Sequence, residues 1–214
     1  FTQLGVKTIF KHSSNIWIAV DQVVDILESP IAEDPHNRIY YSGFNIGGFS
    51  NPLMQIADQV DDNIFFRLGI PLAPNLATTP TLTPTSSSVS ATETPSARSY
   101  IYTFVSAFGE EGQPSTAQTS QILSVFSDQT VTITFPVAPS GQHKLAKRRL
   151  YRTDADGTFR QVADIDIPLD SDGNIDESSS NLTTFVDDKT DSELGEPNET
   201  ADFDPPPDSD ATAH

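Results

Sequence analysis

A chain of 214 residues with 36% hydrophobic side chains can bury a real core as one large domain or two small ones. Its 30 acidic against 12 basic residues, a formal charge of -18, argue against direct nucleic-acid binding, which rests on Lys and Arg displacing counterions. The absence of cysteine excludes a disulfide framework, a thiolate metal site and a cysteine nucleophile.

Sixteen prolines, eleven glycines and apolar residues in short alternating runs predict an all-β chain. In the first region, residues 1–71, the apolar runs within 6–20 are separated by Ser13, Ser14 and Asn15 in a hairpin pattern. Residues 23–27 fit a strand or a helical turn, because a short apolar run does not fix its own period. Asp34, Pro35, His36 and Asn37 then form a turn, and residues 38–42 a strand, giving a small β-meander. Residues 43–51 read as a loop anchored by Phe44 and Phe49, residues 54–60 as a helical turn, and residues 63–68 as a further strand.

Residues 72–96, with Pro74, Pro80, Pro84 and Pro95 amid Thr and Ser, read as an extended linker. The second region, 97–188, opens on the strongest strand, where Tyr100, Tyr102 and Phe104 alternate with Ile101, Thr103 and Val105 before a turn at 109–114. Strands at 121–126, 130–135, 147–153, 159–167 and 181–186 complete the spacing of a fibronectin- or immunoglobulin-like β-sandwich. Residues 189–214 form an acidic, proline-rich tail or connector. The start at Phe1 and the end at His214 read as those of a fragment or processed product. No apolar run reaches the roughly 18 residues of a membrane helix, and the first residues lack a signal-peptide layout. The expectation is a soluble chain made in the cytoplasm, with no membrane insertion.

Few residues point to chemistry. His12, His36, His143 and His214 lack the spacing of a zinc site and are expected at the surface. Asp61 with Asp62, and Asp187 with Asp188, are carboxylate pairs whose abundance alone does not make a glycosidase. Asp170, Asp172, Gly173, Asn174 and Asp176 form an oxygen-rich turn of the kind calcium favours, but the full loop pattern fails and an Asp-Gly hairpin turn reads better. Asp154, Asp156 and Gly157 form a similar turn. No catalytic, cofactor-binding or metal residue is therefore assigned. Lys144, Lys147, Arg148, Arg149 and Arg152 place five of the 12 basic residues on one strand. They read equally as a solvated edge strand or as a contact for an acidic neighbour. Trp17, Tyr40 and Tyr41 could stack on a sugar if they shared an open face, although a single Trp in an apolar strand is expected in the core.

Taken in order, ARSYIYTFVSAFGEEGQPS (97–115) and KRRLYRTDADGTFRQVADI (147–165) resemble a module of tailed-bacteriophage virion structural proteins. DPHNRIYYSG (34–43), FRLGIPLAP (66–74) and DSELGEPNETADFDPPP (191–207) are similar to the same family. The resemblance implies a non-enzymatic tail nozzle, tail-tube or neck component with an often propeller-like β body and inserted sandwich modules. Its expected partners are copies of itself, in a symmetric ring, and tail, portal, adaptor or fibre subunits. Its location would be the virion. Head-to-tail adaptor, capsid decoration and a carbohydrate- or receptor-binding module are the alternatives, with a carboxylate hydrolase behind them.

Overall fold

The computed structural model describes residues 5–46, 52–57, 60, 62, 64–76, 79–84, 93–139, 143–169, 175–176 and 183–200. These residues form an all-β protein of antiparallel sheets. Among them, helical structure is confined to single 3-10 turns such as Thr119–Gln121 and Asp191–Glu193, and no helix is long and apolar enough to cross a membrane. The described residues up to Gly69, with His143 and Lys144, make one compact unit, and the others make a second.

In the first unit, β1 (Thr8–Lys11) and β2 (Trp17–Val20) form a hairpin whose turn holds Asn15 at a φ of 67°. Strands β3 (Asp25–Glu28), β4 (Arg38–Ser42), β5 (Leu53–Ile56) and β6 (Phe66–Arg67) follow as a four-stranded meander in sequence order. Its core gathers Ile18, Val24, Ile39, Tyr41, Phe44, Leu53, Ala57 and Phe65. Gly43, at a φ of 80°, reverses the chain after β4 and seats Phe44 between Tyr41 and Phe65, at ring-centroid distances of 5.7 and 5.3 Å. Phe49 lies outside the described residues. Of the helical turn expected over 54–60, Met54 to Ile56 belong instead to strand β5, whereas Ala57 begins a 3-10 turn in which Val60 N–H donates to Ala57 O at 3.4 Å. Leu53, Met54 and Gln55 are all buried, and a short run buried on both faces carries no visible period.

The turn before β4 is built around Asp34. Its carboxylate accepts the backbone N–H of His36 (3.0 Å) and the Arg38 Nε–H (2.8 Å), while Asn37 N–H closes on the Asp34 carbonyl. Desolvation pushes this carboxyl up, but the Arg38 hydrogen bond, helped by His36 and Ser29, wins and holds it well below the usual carboxylate range. A lowered folded pKa stabilises the fold above the unfolded pKa, about 3.9, and that stabilisation is lost as pH falls through the folded value. Urea unfolding of the chain from pH 6 down to pH 2 is therefore expected to show an acid loss that Asp34→Asn reduces. An unchanged acid slope in that variant would remove the Asp34 turn from the account.

The second unit contains β7 (Thr81–Pro84), β8 (Ser96–Arg98), β9 (Tyr100–Ser106), β10 (Leu123–Val125), β11 (Gln129–Thr134), β12 (Leu145–Thr153), β13 (Phe159–Asp166) and β14 (Thr184–Asp187). They pair as β13-β12-β9, β14-β11-β7 and β10-β8. Tyr102, Phe104 and Leu150 from the first sheet meet Val131 and Ile133 from the second, with Leu123 and Val125 of β10, in one core of sandwich-like character. On β11 the alternation is complete, with Val131 and Ile133 buried and Thr130, Thr132 and Thr134 half-buried.

Two loops run along the outer edges of the β13-β12-β9 sheet. Beside β9, Gly112 N–H donates to Phe104 O (3.0 Å) and Ser115 N–H to Tyr102 O (2.8 Å). Beside β13, Gly195 N–H and Asn198 N–H donate to Gln161 O and Phe159 O, each at 2.8 Å. The chain itself thereby covers the outer edge of β9 and the Phe159–Gln161 end of β13. Gly112 is required for close approach, since a Cβ there would stand 2.6 Å from Ile70 Cγ2. Gly112→Ala should cost about 1–3 kcal/mol by overpacking. Equilibrium unfolding tests it, and the cost should shrink in an Ile70→Ala background.

The stretch expected as a bare linker is not one. Ala73 and Leu76 are buried in the second core, and β7 pairs with β11. The segment after β14 likewise packs back through Lys189, Asp191 and residues 195–198 instead of leaving as a tail. These roles arise from pairing with strands distant in sequence, which composition does not reveal. Residues 201–214 lie outside the described part.

Candidate functional site

The basic strand is the place to begin, because it carries the chain's densest positive charge. β12 is the central strand of its sheet, not an edge. Alternation therefore sends Arg148, Leu150 and Arg152 to the core face and Lys147, Arg149 and Tyr151 to the outer face. Arg148 and Arg152 are both 0% exposed.

Arg152 is held by carboxylates on both sides. Its Nε lies 3.0 Å from Asp187 Oδ2, one terminal nitrogen donates to Asp191 Oδ1 (2.6 Å), and the other donates to the Lys189 carbonyl (2.9 Å). Asp187 also accepts the Tyr100 hydroxyl at 2.7 Å and lies 3.8 Å from Arg98. Burial, then the Asp187 charge, pushes the Tyr100 hydroxyl well above the ordinary tyrosine range. The cluster ties β8, β9, β12 and β14 to one another. Arg148 takes a different solution: its guanidinium lies 5.4 Å from the Phe135 ring centroid and 5.9 Å from that of Phe104, and donates to the Pro136 carbonyl at 2.8 Å.

On the outer face, Arg149 donates from Nε and a terminal nitrogen to both oxygens of Asp164 (2.7 and 3.0 Å), and from the other nitrogen to Glu111 (2.7 Å). Glu111 also accepts the hydroxyls of Thr103 and Tyr151. Burial, together with Glu111, pushes the Tyr151 hydroxyl up to about 12. Lys147 Nζ stands 3.8 Å from Asp164. The expectation of an edge strand is corrected, since β12 is central, and that of an outward contact is corrected for Arg148 and Arg152, which are buried, and for Arg149, which two carboxylates hold; Lys147 remains partly exposed. Lys144 belongs to the first unit, with its Nζ 5.5 Å from the Phe66 ring centroid.

The remaining candidates separate widely. His12 is buried rather than at the surface, its Nδ1 bonded to the Ser14 hydroxyl at 2.6 Å because the hairpin turn folds over it. His36 is half-buried; His143, also half-buried, is lowered in pKa by burial, with Nδ1 3.0 Å from Gly69 O. His214 lies outside the described residues. So do Asp61 and, in the oxygen-rich turn, Asp170, Asp172, Gly173 and Asn174; Ile175 pairs with Leu169, and Asp176 N–H donates to Pro168 O at 2.9 Å. Asp154 is occupied by protein donors, the N–H groups of Asp156 and Thr158 and the Arg160 guanidinium. Among the described residues no group of three His or acidic side chains could hold a metal. The buried acids there, Asp34 and Asp187, each face an arginine.

Trp17 corrects another expectation, being 65% exposed instead of in the core. A two-stranded hairpin buries one face only, and alternation gives that face to Ile18. Tyr41 is buried, its hydroxyl donating to Gln55 Oε1 at 2.7 Å, and Tyr40 is half-buried, so the three rings do not share an open platform. Among the apolar surfaces that the first unit offers to solvent, which include Val23 and Leu27, is the outer hairpin face, where Ile9 and Trp17 stand beside Lys7 and Lys11. Sequence inspection missed this surface, although the odd-numbered positions of both strands spell it out. No protein-family model matches the chain, and no curated protein matches it.

Proposed function

We propose that the chain is a non-enzymatic structural subunit of a tailed-phage virion, a component of the tail nozzle or tail tube. It would assemble in symmetric copies and with other virion proteins after synthesis in the host cytoplasm. The observation that carries this reading is the interlocking of the segments that resemble such proteins. Glu111 of the Gly-Glu-Glu-Gly turn holds Arg149 and Tyr151 of the R-x-Y-R-T strand, and the Gly195–Asn198 stretch covers β13. Segments far apart in the chain thus meet in one unit, in keeping with a single module. The four-stranded meander of the first unit has the strand order of a propeller blade, in keeping with the body expected of such a protein.

Electron microscopy of whole particles labelled against the chain tests the proposal. Label at the tail vertex is expected; label on the capsid surface or at the head-tail junction would replace it with decoration or adaptor roles, and no label would sink it. The sugar-binding alternative lacks its platform, since Trp17 alone of the three rings is open.

A further inference from the structure

The outer face of the β1–β2 hairpin has two lanes. Alternation places Lys7, Ile9 and Lys11 on one and Trp17, Ala19 and Asp21 on the other, and all six are exposed. Register sets Lys11 across from Trp17, with Nζ 5.6 Å from the ring centroid, and Ile9 across from Ala19. At the open end, where Lys7 N–H donates to Val20 O (2.9 Å), Lys7 and Asp21 continue the two lanes.

We propose that this face is a self-association surface that seats the same face of a second copy. A two-fold axis parallel to the strands lays the lane of one copy over the opposite lane of the other. Each Lys7 then faces an Asp21, each Lys11 meets a Trp17 ring, and each Ile9 packs on an Ala19, with every contact made twice. A two-fold axis perpendicular to the strands would stack lysine on lysine. The charge pattern therefore selects both the occupant and its orientation: a basic lane and an acidic-aromatic lane of equal length lie side by side on one face. In a chain with a net charge of -18, which repels its own copies at long range, such local complementarity is what makes close contact favourable. This rests on the function proposed above only for the claim that copies meet and goes beyond it, since a two-fold contact joins copies in pairs and does not itself close a ring; particle labelling tests the virion location separately.

Trp17 is the only tryptophan, so its emission reports directly on this face. The full chain is diluted through a concentration series while mass is followed by light scattering and Trp17 emission by fluorescence. Mass doubling and a blue shift with one common midpoint are expected. Lys7→Asp and Asp21→Lys should each raise that midpoint about tenfold or more, and an equimolar mixture of the two variants should return it to the wild-type value. Each change also sets like charges opposite one another within its own hairpin, so the charge-swapped double variant, Lys7→Asp with Asp21→Lys, which restores both the hairpin pair and the contact between copies, should associate as wild type does. A chain that stays monomeric, as it would if a sugar or another protein were the occupant, overturns the proposal. So does association without a change in Trp17 emission, or a mixture that fails to restore the midpoint.

Discussion

Arg152→Leu is expected to destabilise the second unit by about 3–5 kcal/mol, read as a fall in the urea midpoint. The cost arises less from the lost attraction than from what remains. Asp187 is fully buried, and without the guanidinium its charge is left to the Tyr100 hydroxyl, the Lys189 N–H at 3.1 Å and Arg98 at 3.8 Å. The Lys189 carbonyl also loses its donor, which loosens the segment after β14. Against a total stability of about 5–15 kcal/mol for a typical domain, this is a large share. Removing both charges, as in Arg152→Leu with Asp187→Leu, should cost less than the sum of the two single changes, because no ion is then stranded. High salt should not reproduce the effect, since a pair with no exposed surface is poorly screened. A single-variant loss below about 1 kcal/mol would show that the cluster does not hold the unit together.

The strands whose partners lie close in the chain or whose alternation is strong were legible. Residues 38–42, 100–105 and 130–135 carried apolar residues at every second position, and each corresponds to a strand, β4, β9 or β11. Strands β7 and β8 were not, since TLTP and SAR hold no apolar period. They are strands because β11 and β10 offer ladder partners, a property of the assembled sheet.

The basic strand shows how charge misleads. Lys147 to Arg152 reads KRRLYR, and period two already puts Arg148, Leu150 and Arg152 on one face. What one sequence does not show is that Asp187 and Asp191, far downstream, return to that face, so the positive run was read as pointing outward. The buried counter-charge was legible only as a carboxylate pair, Asp187 with Asp188, and as acidity in the tail that follows. Trp17 failed for the opposite reason. Its apolar neighbours suggested burial, but a hairpin lane has no second layer over it among the described residues of that unit.

Phe104→Ala is the other substitution expected to weigh heavily, at about 3–5 kcal/mol. The ring is fully buried in the second core, edge-on to Tyr102 with centroids 5.6 Å apart, and it forms one side of the slot that holds the Arg148 guanidinium. Truncation removes apolar contact, leaves a cavity in a close-packed interior, and takes away one of the two aromatic faces beside a buried cation. Phe104→Leu should recover most of the volume but not that face, and so should fall between alanine and wild type. The comparison in the first unit is Tyr41→Phe, which keeps the ring and loses only the bond to Gln55, for a cost near 1 kcal/mol. Equal losses for Phe104→Ala in wild-type and Arg148→Met backgrounds would mean the ring serves packing alone; a smaller loss in the second would assign the difference to the cation it shelters.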